Sequence, residues 1–407
     1  MNKQDTIVVI GAGAAGYFAA INAAQNFQDK RVILLEKSAK VLSKVKVSGG
    51  GRCNVTHACF DIHQFSKNYP RGSKQLLQAF HQFNASDTVQ WFKQKGIELK
   101  AEADGRMFPQ SNTSQSIIDC FTQAALLAKV QLKLQAKISA IIHKGNEFEI
   151  KFDTNEKLIA HKLILASGGI NNVSDYEWLV KLGHTIIPPL PSLFTFNTPN
   201  SPITQLMGVS VPLANISIKG SKLSQQGPIL ITHWGFSGPA VLKLSAWGAK
   251  ELAEKNYEFD FSINWMPQFH NDAMVQEIQV IKNRQAKQQV GTRPWPEFPK
   301  RLWEFLLEKA SIDAQSKWAD LSKKQGNKLA EILCNDIYCA KGKTTFKEEF
   351  VTCGGISLND VDFTSMQSKK CNNLYFAGEI LDIDGVTGGF NFQAAWTTAW
   401  IAAKHLY

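Results

Sequence analysis

Ile7-Val8-Val9-Ile10-Gly11-Ala12-Gly13-Ala14-Ala15-Gly16 is an apolar run that meets a Gly-x-Gly-x-x-Gly turn, and the alanine-rich residues that follow it read as a helix. The spacing predicts a dinucleotide cradle. Gly11 permits the tight turn, Gly13 lets the backbone approach a pyrophosphate with no Cβ in the way, and Gly16 lets the helix that opens at Ala14 and Ala15 pack close to the strand. The helix N-terminus then presents free N–H groups and a positive dipole end to the phosphates.

Such a turn is weak evidence alone, so its surroundings decide. Arg31 to Leu35 reads as a second apolar strand and ends at Glu36, about 20 residues past the turn, where an acid is expected to bind ribose hydroxyls. An acid there also disfavours a 2′-phosphate on the bound nucleotide.

With 407 residues the chain exceeds the size at which one core suffices, and two or three domains are expected. A content of 44% hydrophobic and 20% charged residues is that of an ordinary globular protein. The first strand follows Met1-Asn2-Lys3-Gln4-Asp5 directly, which leaves no room for a signal peptide, and no apolar run is long enough to span a bilayer, so the expected place is the cytoplasm. The seven cysteines (Cys53, Cys59, Cys120, Cys334, Cys339, Cys353 and Cys371) contain no Cys-x-x-Cys, which argues against a disulfide framework, a metal site and a redox pair. The net charge of +10 comes from lysines spread along the chain. It reads as a solvated basic surface with affinity for anionic cofactors, and nucleic acid is not the expected partner.

Further along, Lys44 to Thr56 contains Ser48-Gly49-Gly50-Gly51-Arg52-Cys53-Asn54-Val55-Thr56. Three glycines let the backbone lie flush against a planar or phosphorylated ligand, while Ser48, Arg52, Asn54 and Thr56 offer hydrogen bonds. A simple nicotinamide-binding domain has no need of this loop. FAD does, because its isoalloxazine and ribityl arm extends well beyond the first turn. Cys53 beside Arg52 is either an activated thiolate or a packed thiol, and the lack of a second cysteine at redox spacing favours the packed thiol.

Residues 73–99 carry a helical pattern ending at Gly96, residues 104–109 a turn entering a loop, and residues 114–128 a helix. Arg106 is either a ligand contact or a surface arginine. Gln131 to Leu134, Ile138 to Ile142 and Glu147 to Phe152 read as an antiparallel meander. Lys162 to Leu165 reads as a buried strand whose end, Ala166-Ser167-Gly168-Gly169, suits close approach of a ligand at the mouth of a parallel sheet. Pro188-Pro189-Leu190-Pro191 predicts a linker into a new domain. Short strands follow at Leu193 to Asn197, Val209 to Val211, Ile216 to Ile218 and Pro228 to Thr232, then a helix from about Ala240 capped by Ser237. His233 and Ser237 lack the Gly-x-Ser-x-Gly elbow that a hydrolase needs. Residues 271–340 have a helical period broken at Gly291 to Pro296. Phe346 to Val351 reads as a strand, and Cys353 to Ile356 as a turn back toward the first domain. A last buried strand, Asn373 to Phe376, runs into Gly378 and Glu379, and Gly388-Gly389-Phe390-Asn391-Phe392 opens a final helix. A helix N-terminus near Phe390 would stabilise negative charge on the pyrimidine side of a reduced flavin by about 0.3–1 kcal/mol.

Ser48 to Thr56, Thr232 to Ala240, Thr352 to Ile356 and Tyr375 to Trp396 together resemble one family over nearly the whole chain. It is the bacterial FAD-dependent flavoproteins labelled NAD(P)/FAD-dependent oxidoreductases, which include proteins called aminoacetone oxidase and 3-dehydro bile acid reductase. The resemblance implies an α/β chain: a split Rossmann-like FAD/NAD(P)-binding domain with an inserted small β-barrel-like domain and a helical insertion nested in that. The expected boundaries are 1–190 and 345–407 for the FAD domain, 191–265 for the barrel-like insert, completed by about 340–352, and 266–339 for the helical insertion. Lys46 departs from the aliphatic residue common in relatives, without consequence for any role.

Carried over by position, Gly11, Gly13, Ala14, Ala15 and Gly16 would hold the pyrophosphate and Glu36 the adenosine ribose. Lys37, Lys44, Ser48, Gly49, Gly50, Gly51, Arg52, Cys53, Asn54 and Thr56 would line the flavin arm. Ala166, Ser167, Gly168, Gly378, Glu379, Gly388, Gly389, Phe390, Asn391 and Phe392 would close the site, with Glu379 on the ribityl hydroxyls. The expected activity is an FAD-dependent oxidoreductase that takes hydride from transiently bound NAD(P)H and reduces a small organic substrate, with the catalytic acid or base and the oligomeric state open. Two other readings stand beside it: a flavin-dependent RNA-modifying enzyme and a non-catalytic flavin-binding redox sensor.

Overall fold

The computed structural model describes residues 5–169, 173–344 and 351–407. The chain divides into two compact units, Met1–Ser192 with Lys347–Tyr407, and Leu193–Phe346.

In the first unit, strand β1 (Thr6–Ile10) is followed by helix α1 (Ala14–Asn26) and strand β2 (Arg31–Leu35). Helix α2 (Ser43–Gly51), strand β3 (Lys162–Leu165), strand β4 (Leu374–Phe376) and helix α3 (Phe390–Lys404) complete its centre. One sheet runs in the order 361–362, 367–368, β4, β3, β1, β2, 131–133. From β4 to residues 131–133 every neighbouring pair is parallel, and the two outer strands beyond β4 run antiparallel. The central strands are Val-, Ile- and Leu-rich because both faces of a parallel sheet are covered. Register places Ile10 beside Leu165 and Leu35, and Leu165 beside Phe376, so four strands end at one edge.

Helices α1 and α3 are buried on nearly every side. They meet through an aromatic cluster in which the Phe18 ring lies 4.5 Å from Trp91 and 5.3 Å from Trp396, with Phe121 5.5 Å from Trp396. Polar groups inside it are all engaged: Asn22 accepts from Trp91 Nε1 at 3.2 Å, and Gln393 Oε1 accepts from the hydroxyls of Thr56 and Thr88 at 2.6 and 2.9 Å. Trp396 Nε1 donates to the Val55 carbonyl at 2.9 Å. These bonds fix the start of α3 against residues 55–57, and each would leave a buried orphan if broken.

The second unit holds a seven-stranded sheet in the order 336–341, 258–264, 210–218, 224–232, 235–237, 195–197, 343–344. The two outermost strands of that order are joined by Gly342 alone, so the sheet curls round on itself. Helix Pro239–Glu254 and the helices Asn271–Arg284, Lys300–Lys309 and Lys323–Cys334 accompany it. Their shared core includes Phe236, Phe261, Trp265, Trp303 and Trp318.

Several expectations from the sequence are corrected. The pattern over 73–99 is two helices, Ser73–Phe80 and Ala85–Gln94, because Asn84 caps the second: its side chain accepts from Ser86 N at 2.9 Å while Asp87 accepts from Asn84 N at 2.8 Å. Arg106–Pro109 is a strand and not a loop, paired with Leu99–Ala101 and Thr56–His57. Gln131–Lys133 joins the parallel sheet, and the meander is 138–144, 147–152 and 157–160. The proline-rich stretch is no linker: Ile186–Pro191 pairs antiparallel with Thr352–Ile356, itself a strand and not a turn. The register shifts between Ile187 and Leu190, so Pro188 and Pro189 fall where no ladder N–H is required. Likewise Ser210–Ile218 is one strand whose register shifts around Pro212. Ser237 lies on strand Gly235–Ser237, and the cap of the following helix is Gly238 at φ +98° with Pro239 in the first turn. The helical period expected to residue 340 ends at Cys334, and Asp336–Lys341 alternates buried and exposed as a strand. The strand expected at Phe346 to Val351 lies, save Val351, outside the described residues.

Candidate functional site

The carboxyl edge where β1, β2, β3 and β4 end is where a doubly wound sheet takes its ligand. At its centre the β1–α1 turn is shaped by two close approaches. Gly11, at φ +102°, donates its N–H to Leu35 O at 2.8 Å, and a Cβ there would stand 2.4 Å from Ala166 O. At Gly16 a Cβ would stand 1.7 Å from Gly11 O. Both glycines are demanded by the protein itself. Gly13 is not. It has φ −87°, which any residue adopts, and a Cβ there meets nothing within 4 Å. It is the N-cap of α1, without a capping side chain, and no acid stands in the first turn. An uncapped helix start facing open space leaves N–H groups and the positive dipole end for an anion.

Glu36 sits at the end of β2 as expected. One oxygen accepts from Ala12 N and the other from Ser38 N, each at 2.9 Å, so the carboxylate is locked beside the turn. Lys37 is exposed. Lys44, early in α2, forms a 2.6 Å ion pair with Glu379, whose other oxygen accepts from Thr352 N at 3.1 Å. Beside them Thr352 Oγ1 is buried and has no partner among the described residues. Gly378 donates its N–H to Thr398 Oγ1 at 2.9 Å.

The glycine-rich loop begins as the end of α2, where Ser48 turns extended and Gly49 and Gly50 turn left-handed at φ +59° and +68°. The Ser48 hydroxyl donates to Val45 O at 3.0 Å. Room around Gly50, Gly51 and Gly168 is open, whereas a Cβ on Gly49 would press on Phe108 at 2.9 Å. Arg52 turns toward Glu102, at 2.6 Å, and its guanidinium lies 4.0 Å from the Phe108 ring centre. Arg106 pairs with Glu102 and Asp104 in the same half-buried group. Cys53 is fully buried, and burial pushes its thiol up to about 12, so the activated-thiolate alternative is excluded by packing. The amide of Asn54, oriented so that both its ends are satisfied, donates to Thr56 O and Met107 O and accepts from Gly389 N at 3.0 Å.

At the last helix, Gly389 at φ +94° is the N-cap of α3, again with no capping side chain. A Cβ there would stand 2.4 Å from Thr56 O. Gly388 is also left-handed, at φ +132°. Phe390 is buried, stacked on His57 at 4.9 Å, and Tyr69 OH donates to its carbonyl at 2.7 Å. Asn391 clamps Gly385 through both backbone groups, and Phe392 stacks on Trp396 at 5.5 Å. Ser167 shares a 2.9 Å hydrogen bond with Tyr176, and Ala166 continues the sheet with N–H to Ile10 O at 2.9 Å.

The structure therefore joins the β1–α1 turn, Glu36, Ala166 to Gly168 and Gly378 along one edge, and ties the 48–56 loop to the start of α3. The side chains of Arg52, Phe390 and Asn391 are committed to the protein. Missed from the sequence were Gln393, Tyr69 and the buried group in which Arg71 pairs with Asp384 and Ser192 donates to the same carboxylate. The one available signal was the run of Gln393, Thr397 and Thr398 inside an otherwise apolar helix.

Residues 5–405 match the family described as HI0933-like protein Rossmann domain. The chain belongs to that family. It is 29% identical over 419 residues to a ribosomal RNA dihydrouridine synthase of Escherichia coli (strain K12), covering 100% of this chain and 98% of that one. It is 26% identical over 409 residues to a 3-dehydro-bile acid delta(4,6)-reductase of Clostridium scindens, covering 98% of each. Among solved structures, 3-ketosteroid-delta4-(5alpha)-dehydrogenase from Rhodococcus jostii RHA1 aligns over 99% of this chain and 98% of its own with a TM-score of 0.50 at 11% identity, a likeness of fold. The chain is an oxidoreductase-type enzyme built on a Rossmann-like domain. Among the described residues no helix is long and apolar enough to cross a membrane, and no group of three or more His, Cys, Asp or Glu could hold a metal ion.

The two kinds of glycine separate by substitution. Gly16→Val is expected to destabilise the chain by about 3 kcal/mol or more through overpacking, whereas Gly13→Val, assayed without bound nucleotide, leaves the urea midpoint unchanged within error. Equal losses would mean that Gly13 serves packing after all. For cysteine, iodoacetamide at pH 8.5 is expected to modify exposed Cys339 and spare Cys53, read by peptide mass mapping of the folded protein.

Proposed function

We propose that the carboxyl edge of the first unit holds FAD and that the protein is an FAD-dependent reductase of carbon–carbon double bonds conjugated to a carbonyl. The observation that carries the cofactor is the open, uncapped start of α1 at Gly13, a position where the protein has room for a side chain and carries none. The N–H groups of that first turn bind the pyrophosphate. Glu36, oriented by the backbone of Ala12 and Ser38, accepts from the adenosine ribose hydroxyls. Gly50, Gly51 and Gly168 would leave room for the flavin arm, and the Lys44–Glu379 pair would offer hydrogen bonds to the ribityl hydroxyls. The uncapped start of α3 would favour negative charge on the pyrimidine side of a reduced ring. Bound FAD supplies a hydride carrier between a nicotinamide and an electron-poor carbon.

The substrate chemistry is what the named relatives have in common. A bile acid Δ4,6-3-ketone and the uracil ring each contain a C=C polarised by a carbonyl, so hydride adds to the carbon remote from that carbonyl and a proton to the other carbon of the double bond. One reductase chemistry therefore serves a small organic substrate or a uridine in RNA, and the relatives named as ribosomal RNA dihydrouridine synthases favour the RNA-modifying alternative.

NAD(P)H is the proposed reductant. With one Gly-x-Gly-x-x-Gly cradle in the sequence, already given to FAD, nicotinamide makes only transient contact. The protein as isolated is expected to be yellow and to release FAD, not FMN, on denaturation. Its reduction by NADPH or NADH in anaerobic stopped flow is expected to saturate in the upper micromolar to millimolar range. FMN release would overturn the cradle reading, and low-micromolar saturation would reveal a dedicated nicotinamide site.

Presented with a 4,6-dien-3-one and with a uridine-containing ribosomal RNA transcript, the reduced holoenzyme is expected to be reoxidised by at least one, with loss of dienone absorbance or a gain of two mass units per modified uridine. Reoxidation by quinones alone would remove the double-bond reading.

A further inference from the structure

The basic residues look evenly spread when read along the chain, but the fold gathers some of them. In the second unit the segment after helix Asn271–Arg284 lies antiparallel to the segment before helix Lys323–Cys334. Val290 N donates to Ser316 O at 2.8 Å, Trp318 N to Gln288 O and Ala319 N to Ala286 O at 3.0 Å, and Gln289 faces Lys317 in an isolated bridge. Lys282 reaches across to Leu321 O at 2.6 Å. One tip thus carries Lys282, Arg284, Lys287, Lys317, Lys323 and Lys324 against a single acid, Asp320, within residues 282–291 and 314–324.

Apart from Lys282 these cations are exposed, and none has a carboxylate partner among the described residues. Elsewhere in the same unit Lys255, Lys300 and Lys328 pair with Glu251, Glu304 and Glu331, whereas the tip crowds its cations beside one another. Folding gains nothing from that crowding. Like charges repel, and Lys323 and Lys324 occupy the first turn of their helix, where the dipole disfavours a cation. The tip is also rich in exposed amides, Gln288, Gln289 and Gln315, and has no exposed large apolar side chain among its residues.

We propose that this tip is a docking surface for the phosphodiester backbone of a nucleic acid, with Arg284, Lys287, Lys317, Lys323 and Lys324 each meeting a phosphate and the glutamines bonding sugar and phosphate oxygens. A polyanion relieves the repulsion that the fold tolerates there. An anionic membrane is the poorer fit, because membrane-binding surfaces add apolar anchors that the tip lacks. Backbone contacts of this kind orient a strand without reading its sequence. The inference stands independently of the redox reading: a chain that carried no flavin would still bind through the tip.

The test is fluorescence anisotropy of an end-labelled 20-nucleotide RNA hairpin, and of the DNA hairpin of the same sequence, titrated with FAD-loaded protein at several NaCl concentrations. The tip variant combines Lys287→Gln, Lys317→Gln, Lys323→Gln and Lys324→Gln, and the control variant combines Lys74→Gln, Lys93→Gln, Lys129→Gln and Lys181→Gln, which removes the same charge elsewhere. The tip variant is expected to bind the RNA at least tenfold more weakly at 100 mM salt, with a slope of log K against log salt shallower by about 3, at unchanged flavin content and melting midpoint. The control variant changes affinity less than threefold. The DNA hairpin binding like the RNA, or more weakly with the same dependence on the tip, supports backbone docking. An unchanged slope in the tip variant, an equal loss in the control, or tip-dependent binding to phosphatidylserine vesicles with none to either hairpin overturns it.

Discussion

Everything at the candidate site depends on how closely backbone can approach backbone where β1 turns into α1. Gly11 sits against Ala166 O and Gly16 against Gly11 O at distances no side chain tolerates. This contact sets the height of the helix start above the sheet, and Gly11 N–H to Leu35 O ties the turn to β2 at the same point. The end of β2 then delivers Glu36 to the Ala12 N–H. A small loss of closeness at Gly16 would move the helix start, the acid and the mouth of the sheet together, because all three share one set of backbone contacts.

The other half of the site is set by a polar network in an apolar place. Gln393, buried within α3, takes two threonine hydroxyls from separate segments, and Trp396 reaches the carbonyl of Val55. Apolar packing alone would hold α3 near α1 but would let it slide along its axis. Directional bonds at Gln393 and Trp396 fix that axial position, and with it the place of the Gly389 N-cap relative to the glycine-rich loop.

What could be read from the sequence follows the range of the physics involved. The β1–α1 turn and Glu36 were legible because strand, glycines, helix and acid form a local unit with one steric logic. The break at Asn84 is also local: Asn84, Ser86, Asp87 and Thr88 interrupt the apolar period, and Asn84 with Asp87 has the spacing of a capping box. Pro188 and Pro189 do not announce a strand, because a proline's effect depends on whether its partner strand needs the missing N–H, and Thr352–Ile356 pairs around them. Arg71 with Asp384, Gln393 with Thr56, and the charge at 282–324 were not legible. Each joins residues distant in the chain, and nothing in the neighbourhood of either partner announces the other.

Unit one is discontinuous in the chain: β4 and α3 are supplied after the whole of Leu193–Phe346 has intervened. Strand β3 has β1 on one side and waits for β4 on the other, and the Phe18 face of α1 waits for Trp396. During synthesis the second unit, contiguous in sequence, can close its core while the first still exposes an open sheet edge and an aromatic face. The carboxyl edge of the sheet is thus among the last parts of the molecule to exist, and on the reading proposed above a cofactor finds its full site only when the polypeptide is complete. A protein cut short before α3 keeps the Gly11–Gly16 turn but leaves the Phe18 face of α1 bare of Trp396.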